Sequence, residues 1–302
     1  MAPIPPPTDS TISRIYKAWE EKQAIHHREH LGASRIGREC ERELWYEFRW
    51  AKKPAFSGRM LRLFARGQLE ESTIVADLRA AGIEVHEVDE NGKQFRFSDH
   101  AEHFAGSMDG CGKGFVEAPK AWHVLEFKTH NDKSFAALEK DGVEKSKPEH
   151  YAQMQVYMGW SGMDRAMYVA VNKNTDEIYI ERIRFDKELF ESLRAKAKSI
   201  IFSDSPPDRI NESPAFFKCK MCSFQSICHG LGELPEKNCR TCNHAHALED
   251  GGWGCSHHQK ALTVQDQEAV CESHSFIDEL VPKEVRLALK EFGGTRVSST
   301  PF

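Results

Sequence analysis

Asp109, Glu126 and Lys128, followed by Gln153 and Tyr157, stand in an order and at intervals suited to metal-assisted hydrolysis of a phosphodiester. That reaction needs a Lewis acid on the phosphate oxygens, a deprotonated water in line with the leaving oxygen, and a cation for the developing charge. Mg2+ and Mn2+ take oxygen ligands and keep part of their water, so carboxylates at the ends of neighbouring strands suit the task. Asp109 lies in Gly106-Ser107-Met108-Asp109-Gly110, and Glu126 and Lys128 lie in Leu125-Glu126-Phe127-Lys128. The two acids are seventeen positions apart, an interval that a hairpin closes. Lys128 is placed to orient or activate the attacking water. Upstream, Arg66-Gly67-Gln68-Leu69-Glu70-Glu71 falls in a helical stretch, where glycine is disfavoured by about 1 kcal/mol against alanine. Close packing or a passing phosphate would justify it. Glu71, one turn after Gly67 and on its face, is the candidate for a further metal ligand, ahead of Glu70.

The elements that must position these groups can be read from pattern. Residues 1–8 are Pro-rich and expected to be disordered. Asp9-Ser10-Thr11 caps a helix expected to run to about His30, and Ser34 caps a second carrying Cys40, Trp45, Tyr46, Phe48 and Trp50. A third helix spans about Gly58 to Ala81 and ends at Gly82. Strands are expected at Glu84 to Val88, Lys93 to Ser98 and Phe104 to Asp109, the first two joined by the turn signal Asn91-Gly92. The stretch His123 to Thr129 alternates, which sends Glu126 and Lys128 to one sheet face. Pro148 opens a helix on which Gln153 and Tyr157, four apart, share a face. Strands Ala166 to Val171 and Ile178 to Phe185 and a helix opened by Asp186 complete an α/β core, a central mixed sheet flanked by helices.

A lone Glu-x-Lys occurs in nearly any protein. Joined in order to the Arg-Gly-x-x-x-Glu, Gly-Ser-Met-Asp-Gly and Gln-x-x-x-Tyr segments, it resembles the PD-(D/E)XK nuclease superfamily, in the branch of RecB-like, lambda-type and CRISPR-associated iron-sulfur exonucleases. The resemblance covers about residues 34–230. It implies a restriction-endonuclease-like core with Asp109, Glu126 and Lys128 as the catalytic centre, Mg2+ or Mn2+ as cofactor, and Gln153 with Tyr157 on a supporting helix. Met108 replaces the name-giving proline, and Glu71 stands where RecB-like members usually carry histidine, which is closer to the lambda-type arrangement.

Nine cysteines in a chain without a signal-peptide pattern suggest metal or cluster ligands rather than disulfides. Cys219-x2-Cys222-x5-Cys228 and the distant Cys40 offer four thiolates, and sequence geometry leaves tetrahedral zinc and an iron-sulfur cluster both open. The resemblance implies a 4Fe-4S cluster that clasps a nuclease domain of residues 9–232. Residues 233–302 form a second, smaller Cys-rich unit. There Cys239, Cys242, Cys255 and Cys271, with His274, His257 or His244 as substitutes, suit a structural Zn2+. Gripping DNA or docking a recombination or replication protein are both open to it. Cys111 is read as a small turn residue.

The 302 residues, 40% of them hydrophobic, suffice for one large core or a core plus a small module. No apolar run spans a bilayer, so a cytoplasmic, membrane-free protein is expected. A net charge of -5 does not exclude DNA, because metal-binding carboxylates contribute to it and phosphate contacts depend on local patches. Such patches are Arg59, Arg62 and Arg66, and the lysines from Lys128 to Lys147. The expected function is a Mg2+/Mn2+-dependent DNA exonuclease acting on linear ends in recombination, repair or phage replication. An endonuclease or nickase with the same centre, and a non-catalytic nucleic-acid-binding module, are the alternatives.

Overall fold

The computed structural model of the chain describes residues 10–23, 26–282 and 285, so the expected disorder of residues 1–8 lies outside it. The chain begins with α1 (Thr11–Lys22), β1 (Leu31–Gly32), α2 (Glu41–Phe48) and α3 (Gly58–Ala80). It continues through β2 (Glu84–His86), β3 (Arg96–Asp99), β4 (Phe104–Ser107), β5 (Gly110–Lys113) and β6 (His123–His130). Next come α4 (Asp132–Ser146), α5 (Pro148–Ser161), β7 (Arg165–Asn172), β8 (Ile178–Arg184) and α6 (Lys187–Ile201). The cysteine-rich part holds α7 (Phe217–Lys220), α8 (Gln225–Cys228), β9 (Ala245–Ala247), β10 (Trp253–Cys255), β11 (Lys260–Leu262) and α9 (Val264–Glu268).

The central sheet has the order β2-β5-β6-β7-β8. Its middle pair, β6 and β7, runs parallel from Val124 opposite Ala166 to His130 opposite Asn172, and the other pairs are antiparallel. Alternation along β6 makes it two-sided. Leu125 and Phe127 join Met167 and Val169 beneath Ile74, Val75 and Leu78 of α3. Val124 turns to the opposite core, with Tyr168, Ala170 and the Met154, Val156 and Tyr157 side chains of α5. Pro148 starts α5, where a missing N–H is harmless, and Gly162 ends it in the left-handed region at φ 74°. A second small sheet, β1-β4-β3, and a third, β11-β10-β9, complete the α/β architecture.

Several expected elements differ. The first helix stops at Lys22, and Ser10 caps it in a reciprocal pair with Ser13. The second starts at Glu41, with Cys40 rather than Ser34 as its N-cap residue. The turn at Asn91-Gly92 exists, but its arms share only the bridge from Val88 to Gln94. They then diverge, β2 to pair with β5 and β3 with β4 in another sheet. The strand expected to end at Asp109 stops at Ser107, and β5 and α4 were not anticipated. Both are rich in glycine or charge and carry little apolar periodicity.

Candidate active site

Asp109 occupies the break between β4 and β5. Because Gly110 pairs with Leu125, one step back along the two chains brings Asp109 opposite Glu126. The placement is fixed by a backbone bond, the Phe127 N–H donating to Asp109 Oδ2 at 2.8 Å. Lys128, two residues beyond Glu126 on the same strand face, lies in direct contact with the Glu126 carboxylate and 4.0 Å from Asp109 Oδ2. Its ammonium also donates to the Phe127 carbonyl at 3.0 Å. Glu71, carried on α3, feels the charges of Asp109 and Lys128 without forming an ion pair to Lys128 among the described residues.

These groups form one electrostatic unit. Burial, opposed by Lys128 and reinforced by Asp109, pushes the Glu126 carboxyl up to about 8. Burial also raises Glu71, and Asp109 adds to the shift. Burial alone would lower the Lys128 ammonium, but Glu126 and Asp109 outweigh it and hold Lys128 above the usual lysine range. Glu126 is 0% exposed, and apart from the Lys128 ammonium its carboxyl has no hydrogen-bond partner among the described residues. A buried carboxyl with two acidic neighbours and one ammonium is short of positive charge, the condition that favours a hard divalent cation.

The α5 helix braces the centre from behind. The Tyr157 hydroxyl donates to the Ser107 carbonyl at 2.7 Å, two residues before Asp109. Burial and the nearby Glu126 hold this phenol above its ordinary range, while a bond to the Gln153 side chain pulls the other way. Gly106 is required here, since a Cβ would stand 2.7 Å from the Tyr157 hydroxyl and 2.9 Å from the Ala33 methyl. Gly67 differs: a Cβ there would meet nothing within 4 Å. Close packing against protein therefore does not explain it.

A buried polar chain next to the centre has no counterpart in the sequence reading. Tyr168, the register partner of Glu126 on β7, bonds through its hydroxyl to His130 Nε2 at 2.8 Å and to His150 Nδ1 at 2.9 Å. Ser134 Oγ meets His130 Nδ1 at 3.1 Å. Burial, then Lys128, lowers His150 to about 3. Burial, with Lys147, Lys128 and Lys173, lowers His130 to about 4. The available signals were positional: His130 continues the alternation of Glu126 and Lys128, and His150 precedes Gln153 by one turn.

All nine cysteines are free thiols. Cys40, Cys219, Cys222 and Cys228 line one cavity of about 340 Å3, and Cys239, Cys242, Cys255 and Cys271 line another of about 300 Å3 with His244, His257, His258 and His274. Burial pushes the Cys222 and Cys239 thiols up to about 11. His274 Nε2 bonds to the Asn238 carbonyl at 3.0 Å, while its Nδ1 is buried without a hydrogen-bond partner. Cys111 sits apart on β5, opposite Val124. Among the described residues, no group of three or more His, Cys, Asp or Glu side chains is arranged, as it stands, to hold a metal ion. No described helix is long and apolar enough to cross a membrane.

No family model and no curated protein matches the chain. Among solved structures, SSO0001 is similar at 15% identity and TM-score 0.43, over 73% of this chain and 96% of that one. The alkaline exonuclease LHK-Exo of Laribacter hongkongensis is similar at 18% identity and TM-score 0.40, over 62% and 89%. A phage-related exonuclease from Haemophilus somnus follows at 18% identity and TM-score 0.36, over 53% and 77%.

Proposed function

We propose that the protein is a divalent-metal-dependent deoxyribonuclease of the PD-(D/E)XK type, acting on linear DNA ends as an exonuclease. The observation that carries this reading is the fully enclosed carboxyl of Glu126, facing Asp109, with Lys128 the one cation set against both among the described residues. Asp109, Glu126 and Glu71 would hold Mg2+ or Mn2+, which supplies Lewis-acid stabilisation of the phosphate and a more acidic bound water. Asp109 is kept in line by the Phe127 N–H. Lys128 lies between the two acids and orients the attacking water, and its positive charge offsets that gathering on the phosphate oxygens. Gln153 and Tyr157 hold the strand end before Asp109 in place.

Two further metal sites belong to this reading. Cys40, Cys219, Cys222 and Cys228, gathered around one cavity, suit a 4Fe-4S cluster that ties the start of α2 to the far end of the nuclease core. Cys239, Cys242, Cys255 and Cys271 suit a structural Zn2+, with His274, His257 or His244 as substitutes. Protein purified without air should carry iron and visible absorption, and Cys222→Ser should lose both. Iron-free wild type would remove the cluster.

The decisive experiment incubates such protein with Mn2+, DNA labelled at either end, and a closed circle. Degradation of the linear molecules alone supports the exonuclease. A nicked circle would favour an endonuclease, and intact DNA throughout would leave only a binding module.

A further inference from the structure

The amino-terminal half of α3 leaves the sheet. From Arg59 to Glu70 only Leu61 is buried, and α1, which lies against it, buries none of its residues. On this arm Met60, Leu63, Phe64 and Leu69 are exposed, although apolar side chains on a helix normally face a core. Arg59, Arg62 and Arg66 recur at intervals of three and four, forming one cationic stripe about 10 Å long at the helical rise per residue.

These residues share one cavity. About 300 Å3 in volume, it is lined by Arg59, Met60, Arg62, Leu63, Arg66 and Lys173, and no carboxylate takes part. Its base is tied to the catalytic strand pair. Arg66 donates to the Lys173 carbonyl at 3.0 Å, and the Lys173 N–H donates to the His130 carbonyl at 2.9 Å, two residues beyond Lys128. The cavity thus opens beside the carboxyl ends of the parallel strands β6 and β7, where α/β sheets commonly receive ligands. One helical turn beyond Leu63, Gly67 leaves open space where a side chain would stand.

Guanidinium groups interleaved with exposed Met and Leu, with no carboxylate in the lining among the described residues, match a single nucleic-acid strand. Such a strand offers phosphates to the cations and unstacked base faces to the apolar groups. A duplex keeps its base faces covered and would leave the apolar half of the cavity unmatched. We propose that the α1–α3 arm is a track for single-stranded DNA, leading one strand past Gly67 and Lys173 to the Asp109–Glu126–Lys128 centre. The direction of travel rests on the nuclease reading, while the track itself does not.

Binding of a fluorescent single-stranded oligonucleotide without divalent metal tests this by anisotropy across a salt series. Arg59→Glu with Arg62→Glu should weaken binding at least tenfold and reduce the salt slope by about 1.4, the loss expected for two single-strand phosphate contacts. Arg59→Lys with Arg62→Lys should keep the slope, and Lys198→Glu on α6 should change neither. Met60→Ser with Leu63→Ser should weaken binding at unchanged slope, which keeps the test open if the glutamate pair misfolds. If wild type binds in this way but never cleaves with Mn2+, the track stands and the nuclease reading falls. If wild type cleaves and the glutamate pair binds with unchanged affinity and slope, the track is overturned and the nuclease reading stands. Wild type that ignores the oligonucleotide, or forms a dimer that the serine pair dissolves, would assign the arm to a protein contact and overturn the proposal.

Discussion

Glu126 is fully enclosed, and a carboxyl withdrawn from water is held there by taking up a proton or by positive charge set against it. Lys128 supplies that charge to Asp109 as well, so a bound divalent ion should stabilise the folded protein strongly. At one hundred times Kd, Mn2+ adds about 2.7 kcal/mol, a rise of several degrees in melting temperature. Glu126→Gln should abolish this rise and lower cleavage at least about a thousandfold. Its metal-free melting temperature should equal or exceed that of wild type, because one of three crowded acids is gone. A Mn2+ shift retained in the variant would exclude Glu126 as a ligand. The histidines give a separate pH signature. His130 and His150 have folded values of about 4 and about 3, below the ordinary 6.5, so folding favours their neutral forms. Their contribution is whole above pH 6.5 and is lost as the pH falls, by up to about 1.4 kcal/mol per unit for each. From pH 7 to pH 5 the histidines should pull the melting temperature down while Glu126, raised to about 8, pulls it up, and His150→Gln should remove its share of the downward pull. Equal slopes in variant and wild type would count against His150. The pairing of Glu126 with Lys128 was legible because a period of two puts both on one face of β6. The histidine chain was not, because its bonds to Tyr168 join residues 38 and 18 positions apart.

At the scale of elements, α5 and β4 act as one unit whose seam runs between Tyr157 and Gly106. The Tyr157 hydroxyl reaches the Ser107 carbonyl only because Gly106 leaves room for it. Tyr157→Phe should cost about 1 kcal/mol, the usual net worth of such a bond, and lower kcat by about tenfold through a loosened Asp109. Gly106→Ala, which forces the ring away, should cost more stability and at least as much kcat. Melting curves and saturation kinetics on both variants check this, and full kcat in Gly106→Ala would show that the seam does not position Asp109. β6 and α5 could be read from sequence because alternation and an N-terminal proline mark them. β5, Gly-Cys-Gly-Lys, carries no such mark and is a strand only because Glu84–His86 and His123–Leu125 flank it. The Asn91-Gly92 turn was legible from its two residues, but the partners its arms then take, β5 and β4, are decided by strands distant in sequence.

In the whole molecule, the cysteine-rich end is joined to the α/β core by two arginines that cross over. Arg240, from the cysteine-rich end, lies 3.8 Å from the Trp50 ring centre and donates to the Phe48 carbonyl at 3.0 Å. Arg49, from α2's end, returns the contact by donating to the Ala245 carbonyl at 2.9 Å. Both are buried, and Trp253, Ile277 and Leu280 belong to the same apolar cluster as Trp45 and Phe48. Pro and Cys spacing marked a boundary near residue 233, but contacts across some 190 positions leave no local pattern, so the shared core was not legible. The consequence is that residues 9–232 should not behave as an independent domain. Cutting the chain after residue 232 removes the acceptor of Arg49 at Ala245 and uncovers Trp50, leaving a buried cation short of partners, a loss of about 3 kcal/mol or more before the exposed apolar surface is counted. The truncated protein should aggregate or melt well below the full chain, and Arg240→Ala in the full chain should move the same way by a smaller amount. A truncated form that melts cooperatively near the full-length temperature would show that the buried arginine contacts contribute little and that the boundary near residue 233 separates two self-sufficient units.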